Sequence, residues 1–148
     1  MKKTWDQFWR FIFNRLRKVV LPKDMETFLL ISLGAMLGAN LRYWVGGWAA
    51  SRLGTTFPYG TLIINLSGSF VIGLFLTLAT ERFLIDPRWR IIVAVGFLGG
   101  YTTFSSYTYE SMNLLLKGET WLGLLNLLGS SLFGGLAVTA GIFLARLI

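Results

Sequence analysis

The sequence predicts an all-α integral membrane protein with four transmembrane helices, and three observations carry that prediction. Of its 148 residues 54% are hydrophobic and the mean hydropathy is +0.61, more apolar surface than one soluble core can hide. Four apolar stretches, 28–50, 60–80, 91–109 and 121–145, are each close to the roughly 20 residues that cross about 30 Å of hydrocarbon. Within all four, Arg42 is the only Lys, Arg, Asp or Glu.

Ahead of the first span, residues 1–23 form their own unit. Trp5, Phe8, Trp9, Ile12, Phe13, Leu16, Val19 and Val20 recur at helical spacing opposite Lys2, Lys3, Arg10, Arg17 and Lys18, the pattern of a basic amphipathic helix lying on lipid. It is expected to end near Pro22. Arg10 and Arg15 interrupt any signal-peptide core, and no small-residue cleavage site follows. An anchor that sets topology explains this segment more simply than a regulatory element.

Residues 24–148 then read as one four-helix membrane domain. Its connections hold the breakers and charges: Pro58 in 51–59, Asp86 and Pro87 in 81–90, Lys117, Gly118 and Glu119 in 110–120. With both termini on one side, that side carries eleven Lys and Arg, seven of them in residues 1–23, against Arg52 and Lys117 on the other. The positive-inside rule therefore puts the termini in the cytoplasm. Without residues 1–23 the bias is four against two, so the body itself is weakly oriented.

Small residues repeat at four-residue spacing in every span: Gly34 and Gly38, Ser69 and Gly73, Gly96 and Gly100, Ser130 and Gly134, Ser131 and Gly135, Ala137 and Gly141. Such pairs let helix backbones approach closely in lipid. Four helices enclose little around one axis, so a polar pathway calls for a second subunit.

Composition excludes several chemistries. The chain has no Cys and no His, which removes disulfides, thiol chemistry, the usual zinc and copper ligands and every His-based catalytic dyad. The spans offer no general base or activated nucleophile, so no enzyme is expected. The net charge of +7 is assigned to topology and lipid headgroups, not to nucleic acid.

The polar residues at membrane depth are few. Asn65, with Ser67 and Ser69, lies in the second span, and an amide there needs protein or water partners. A helix-to-helix hydrogen bond and a place in a permeation route both satisfy it. The third span contains Gly-Phe-Leu-Gly-Gly-Tyr-Thr-Thr-Phe-Ser-Ser-Tyr from Gly96 to Tyr107. Paired glycines followed by threonines are poor helix material, which predicts a break between Gly99 and Thr103. Carbonyls freed there suit a small hard cation. Phe104 and Tyr107 share a face, with the hydroxyls of Ser105 and Ser106 beside them. Ring edges and hydroxyls together can attract a small anion, although hydroxyl-lined helix packing reads the same way.

These residues resemble the CrcB/Fluc family of fluoride channels. The likeness rests on Gly-Ala-Met-Leu-Gly-Ala-Asn-Leu-Arg-Tyr at 34–43, Gly-Thr-Leu-Ile-Ile-Asn at 60–65, and Gly-Gly-Tyr-Thr-Thr-Phe-Ser-Ser-Tyr at 99–107, with Glu110 three residues on. It runs from about Phe28 to the C-terminus. It implies a passive channel that exports fluoride across the cell membrane and lowers its toxicity. The assembly it implies is a dual-topology, antiparallel homodimer with a structural, non-transported sodium ion between the subunits. The resemblance assigns the fluoride pathway to Asn65, Phe104, Ser105, Ser106, Tyr107 and Ser130, the vestibule to Arg42, and the sodium-ligating carbonyls to Gly99 and Thr102. The family usually has Phe where this chain has Tyr107, and the added hydroxyl either donates to the anion or crowds it. The charge of residues 1–23 also leaves room for a heterodimer with an oppositely oriented homologue. Two other four-span classes compete: a small multidrug exporter, which needs a membrane acid in its first span, and a non-transporting assembly factor.

Overall fold

A computed structural model describes residues 22–83 and 85–148; the amphipathic helix expected over residues 1–23 lies outside them but for its last two positions. The described chain is helical and runs back and forth along one direction. Helix α1 (Pro22–Leu53) starts earlier than the expected span. It ends at Gly54, whose φ of +83° is a left-handed value that glycine adopts without strain and whose N–H bonds to the Ala50 carbonyl at 3.1 Å. Helix α2 (Tyr59–Thr77) continues as a π-helical turn, Leu78–Arg82.

The third apolar stretch is built from four pieces. Helix α3 (Pro87–Arg90) is capped by Asp86, whose side chain accepts from the Arg88 N–H. A π-helical stretch, Ile91–Leu98, follows, then the single turn α4 (Gly99–Tyr101) and, after a break, helix α5 (Phe104–Leu116). Helix α5 closes at Gly118 (φ +81°), where the N–H groups of Gly118 and Glu119 bond back to Leu115 and Leu114. Helix α6 (Thr120–Leu124), the π-helical stretch Leu125–Gly129 and helix α7 (Ser130–Leu147) form the last rod.

Three continuous rods, Met25–Leu53, Tyr59–Arg82 and Thr120–Leu147, are long and apolar enough to cross a membrane. The stretch expected to supply the third span is divided, as a broken helix would be, so three uninterrupted helices of that kind occur among the described residues. Its break falls within the expected stretch 99–103, at the threonines and not at the glycine pair. Thr102 (φ −80°, ψ 160°) and Thr103 (φ −150°, ψ 121°) are extended, whereas Gly99 and Gly100 stay helical. The reason is packing. A Cβ on Gly100 would stand 2.7 Å from the Ala35 carbonyl oxygen, and one on Gly96 would stand 2.9 Å from the Gly34 Cα. The glycines let the third segment press onto α1, and the β-branched threonines, which tolerate extended backbone, take the break.

Close approach also joins α2 to α7. A Cβ on Gly141 would overlap the Phe70 carbonyl, and one on Gly73 that of Val138. Glu26 pairs with Arg88 at 2.7 Å, and Glu81 receives two hydrogen bonds from Arg146, at 3.0 and 3.1 Å. These pairs gather the start of α1, the end of α2, the start of α3 and the end of α7 at one end of the bundle. Large apolar side chains such as Phe28, Trp44, Leu128, Leu132 and Phe143 are exposed, as expected of a multi-pass membrane protein whose solvent is hydrocarbon.

Candidate functional site

The break at Thr102 and Thr103 is the organising feature. An extended pair inside a helical segment leaves backbone groups without helical partners, and at membrane depth each must be satisfied within the protein. Asn65 on α2 does this for Thr103. Its Oδ1 accepts from the Thr103 N–H at 2.9 Å, and its Nδ2 donates to the Thr103 carbonyl at 2.9 Å. The second N–H of that amide is left over. Arg42 on α1 reaches the Thr102 carbonyl with Nη1 at 3.4 Å. Thr103 in turn caps α5, its Oγ1 accepting from the Ser106 N–H at 3.2 Å.

The expected site residues, Ser105 and Tyr107 apart, divide among three cavities. Asn65, Gly99, Thr102 and Phe104 line one of about 310 Å³ together with Ser69. Arg42 and Ser106 line a larger one of about 960 Å³, bounded by residues 54–60 and by Lys117 and Glu119 at the opposite end from the ion pairs. Ser130 lines a third of about 220 Å³. Ser105 is exposed, with its hydroxyl 3.4 Å from that of Thr103. The rings of Phe104 and Tyr107 are 5.6 Å apart and tilted by 52°. Phe104 is 79% exposed and Tyr107 only 8%. The Tyr107 hydroxyl, whose role the sequence left open, donates to the Leu127 carbonyl at 2.6 Å and lies 3.1 Å from Ser131 Oγ.

Sequence reasoning gave no role to three side chains. Glu110 accepts from Thr61 Oγ1 at 2.9 Å, and its Oε2 is buried with no hydrogen-bond partner. Asn126, 1% exposed, donates to Ser111 at 2.8 Å and accepts from Ser130 at 3.1 Å. Tyr101 lies 2.9 Å from the Ser67 hydroxyl. The signal was available for two of them: Asn126 is the one amide of the last apolar stretch, and Glu110 stands one turn beyond Tyr107.

Gly99 and Thr102 can be tested as cation ligands. No cluster of three or more His, Cys, Asp or Glu occurs among the described residues, so carbonyls are the donors on offer. Thr103 gives its N–H to Asn65, so the helical bond that the Gly99 carbonyl would accept from it is not made. The Thr102 carbonyl accepts only the long contact from Arg42 and keeps a free lone pair. Hard oxygen donors fit a small alkali cation. The chain brings these two carbonyl-bearing residues to one cavity.

Comparisons with known proteins identify the family. The family described as CrcB-like protein, Camphor Resistance (CrcB), matches residues 29–142. A protein of Solibacter usitatus named fluoride-specific ion channel FluC is 50% identical over 119 residues, 80% of this chain and 98% of that one. Its namesake from Chloroflexus aurantiacus is 50% identical over 123 residues, 82% of this chain and 97% of that one. The one from Sulfurihydrogenibium is 45% identical over 124 residues, 84% of this chain and all of that one. These relatives are named as channels and not as enzymes, in keeping with the absence of catalytic groups expected from composition. Matched over most of its length, the chain belongs to the CrcB family of multi-pass membrane proteins.

Proposed function

We propose that this protein is a passive fluoride channel that exports fluoride from the cytoplasm. The observation that carries the reading is identity at half of the aligned positions with proteins named for that activity, over nearly their whole length. The geometry is compatible. A helix break between two cavities is lined by an amide with a spare N–H, by hydroxyls and by an arginine, and such donors can replace part of an anion's water shell. The third segment is proposed to cross the bilayer as the fourth span, since α3 starts at the end marked by Glu26 and Arg88 while α5 finishes beside residues 54–60.

In this reading two chains pair antiparallel, each supplying the Gly99 and Thr102 carbonyls to one sodium ion. Such an ion provides fixed positive charge in a low dielectric. Fluoride would pass Asn65, Phe104, Ser105, Ser106, Tyr107 and Ser130, entering through the vestibule of Arg42. A potential negative inside favours anion exit by about 2.3 kcal/mol per 100 mV, so no coupled ion is required.

The test is fluoride loss from proteoliposomes of the purified, sodium-loaded protein, followed with a fluoride electrode. Efflux above protein-free vesicles is expected, and its absence from correctly assembled protein would end the reading. One observation favours a second reading. Both hydrogen bonds of Asn65 go to backbone, as they would in an assembly factor whose polar groups are packing glue. In that case wild-type protein would be dimeric and pass no fluoride.

A further inference from the structure

Asn126 belongs to none of the features already given a role, and it is the most deeply buried amide of the described chain. It lies inside the π-helical stretch Leu125–Gly129, a type of irregularity often found at functional positions. Its hydrogen bonds have one direction. The Ser130 hydroxyl donates to Asn126 Oδ1 at 3.1 Å, Asn126 Nδ2 donates to Ser111 Oγ at 2.8 Å, and the Ser111 hydroxyl donates to the Tyr107 carbonyl at 2.7 Å. A serine hydroxyl has one proton. In this arrangement Ser130 has already given its proton away, and it shows an anion only lone pairs.

The surroundings make that matter. The cavity of about 220 Å³ that Ser130 lines is otherwise walled by leucines, phenylalanines and a glycine, with Tyr59 the one other hydroxyl. An anion entering a space with so few donors would be strongly disfavoured. To bind at Ser130, it has to take that proton from the amide oxygen and leave Asn126 Oδ1 unpaired where it is shielded from water, a penalty that a weak acceptor does not recover. Fluoride, small and densely charged, makes short charge-assisted hydrogen bonds about twice as strong as neutral ones. Chloride is larger and a far weaker acceptor.

We propose that Asn126 sets anion selectivity by holding the Ser130 proton, which an acceptor as strong as fluoride can win and chloride cannot. The inference rests on the channel reading and adds to it a competitor inside the protein. Its sequence mark is an Asn four residues before the Ser, across a π-helical turn.

Paired fluoride and chloride electrodes on proteoliposomes test it. In Asn126→Leu the Ser130 proton is no longer held, and chloride efflux relative to fluoride should rise about tenfold. Adding Ser130→Ala to that variant should remove the increase. An unchanged ratio in assembled Asn126→Leu, or an increase that survives Ser130→Ala, would overturn the proposal. A second readout needs neither flux nor that variant. In infrared difference spectra of wild-type dimer with isotope-labelled asparagine, fluoride but not chloride should shift a side-chain carbonyl band to higher frequency, and Ser130→Ala should lose the shift. No shift overturns the proposal even if Asn126→Leu fails to fold. Wild type that shows the band and passes no fluoride would instead fault the channel reading.

Discussion

The side-chain amide of Asn65 and the backbone of Thr103 hydrogen-bond reciprocally, both at 2.9 Å and across 38 residues of sequence. The amide thus stands in for the helical neighbours that the break removes, and α2 and the third segment cannot separate without exposing two backbone groups to hydrocarbon.

Asn65→Leu removes both partners at once. Each backbone group left unpaired costs about 1–3 kcal/mol, so the variant should unfold at a clearly lower temperature than wild type. The measurement is the midpoint of heat-induced loss of the folded peak in size-exclusion chromatography. A midpoint equal to that of wild type would show that the break does not depend on Asn65.

Tyr107→Phe deletes the bond to the Leu127 carbonyl and keeps the ring. Because Ser131 also donates to that carbonyl, at 2.9 Å, it is not orphaned. The loss should be near the usual net worth of one hydrogen bond, about 0.5–1.5 kcal/mol, read as a small fall in the same midpoint. A large fall would mean that the ring, and not the hydroxyl, is misplaced by the change.

Gly38→Ala should be much worse than Gly47→Ala. A Cβ at Gly38 would overlap the Phe97 carbonyl, whereas one at Gly47 meets nothing within 4 Å. Overpacking costs typically about 1–3 kcal/mol, while alanine in an open helical position gains roughly 0.5–1 kcal/mol over glycine. Opposite shifts of the unfolding midpoint in the two variants are expected. Equal shifts would remove the close crossing of α1 and the third segment.

Replacing sodium by a large organic cation throughout purification tests the proposed carbonyl site. If Gly99 and Thr102 hold sodium between two subunits, the dimer should weaken and fluoride efflux should fall, and both should return when sodium is restored. Efflux indifferent to sodium would remove the ion from the reading.

Deleting residues 1–21 takes away six Lys and Arg and leaves five against two across the membrane. Topology reporters fused to the C-terminus should shift from one orientation toward a mixture. Unchanged orientation would mean that Lys23, Arg82, Arg88, Arg90 and Arg146 set it without help.

Much of this was readable from composition and local pattern. Long charge-free stretches mark where chain meets lipid, because hydrocarbon excludes charge whatever the fold. Poor helix formers likewise mark where a helix gives way, because propensity is local. The sequence alone therefore determined the membrane class, the position of the apolar segments and the neighbourhood of the break.

Tertiary structure decided the rest. Propensity put the break between Gly99 and Thr103; within that stretch α1 holds Gly100 in helix by close contact, and the threonines are the residues that unwind. It also decided that Asn65 meets Thr103, that the Tyr107 hydroxyl is committed to Leu127, that Glu110 is turned inward, and that Asn126 holds Ser130. Helical periodicity tells which residues share a face of their own helix, but not which atom of another helix stands opposite. Where π-helical stretches alter the turn, as before Gly99 and Ser130, even the face is no longer given by counting, and only the packed chain fixes it.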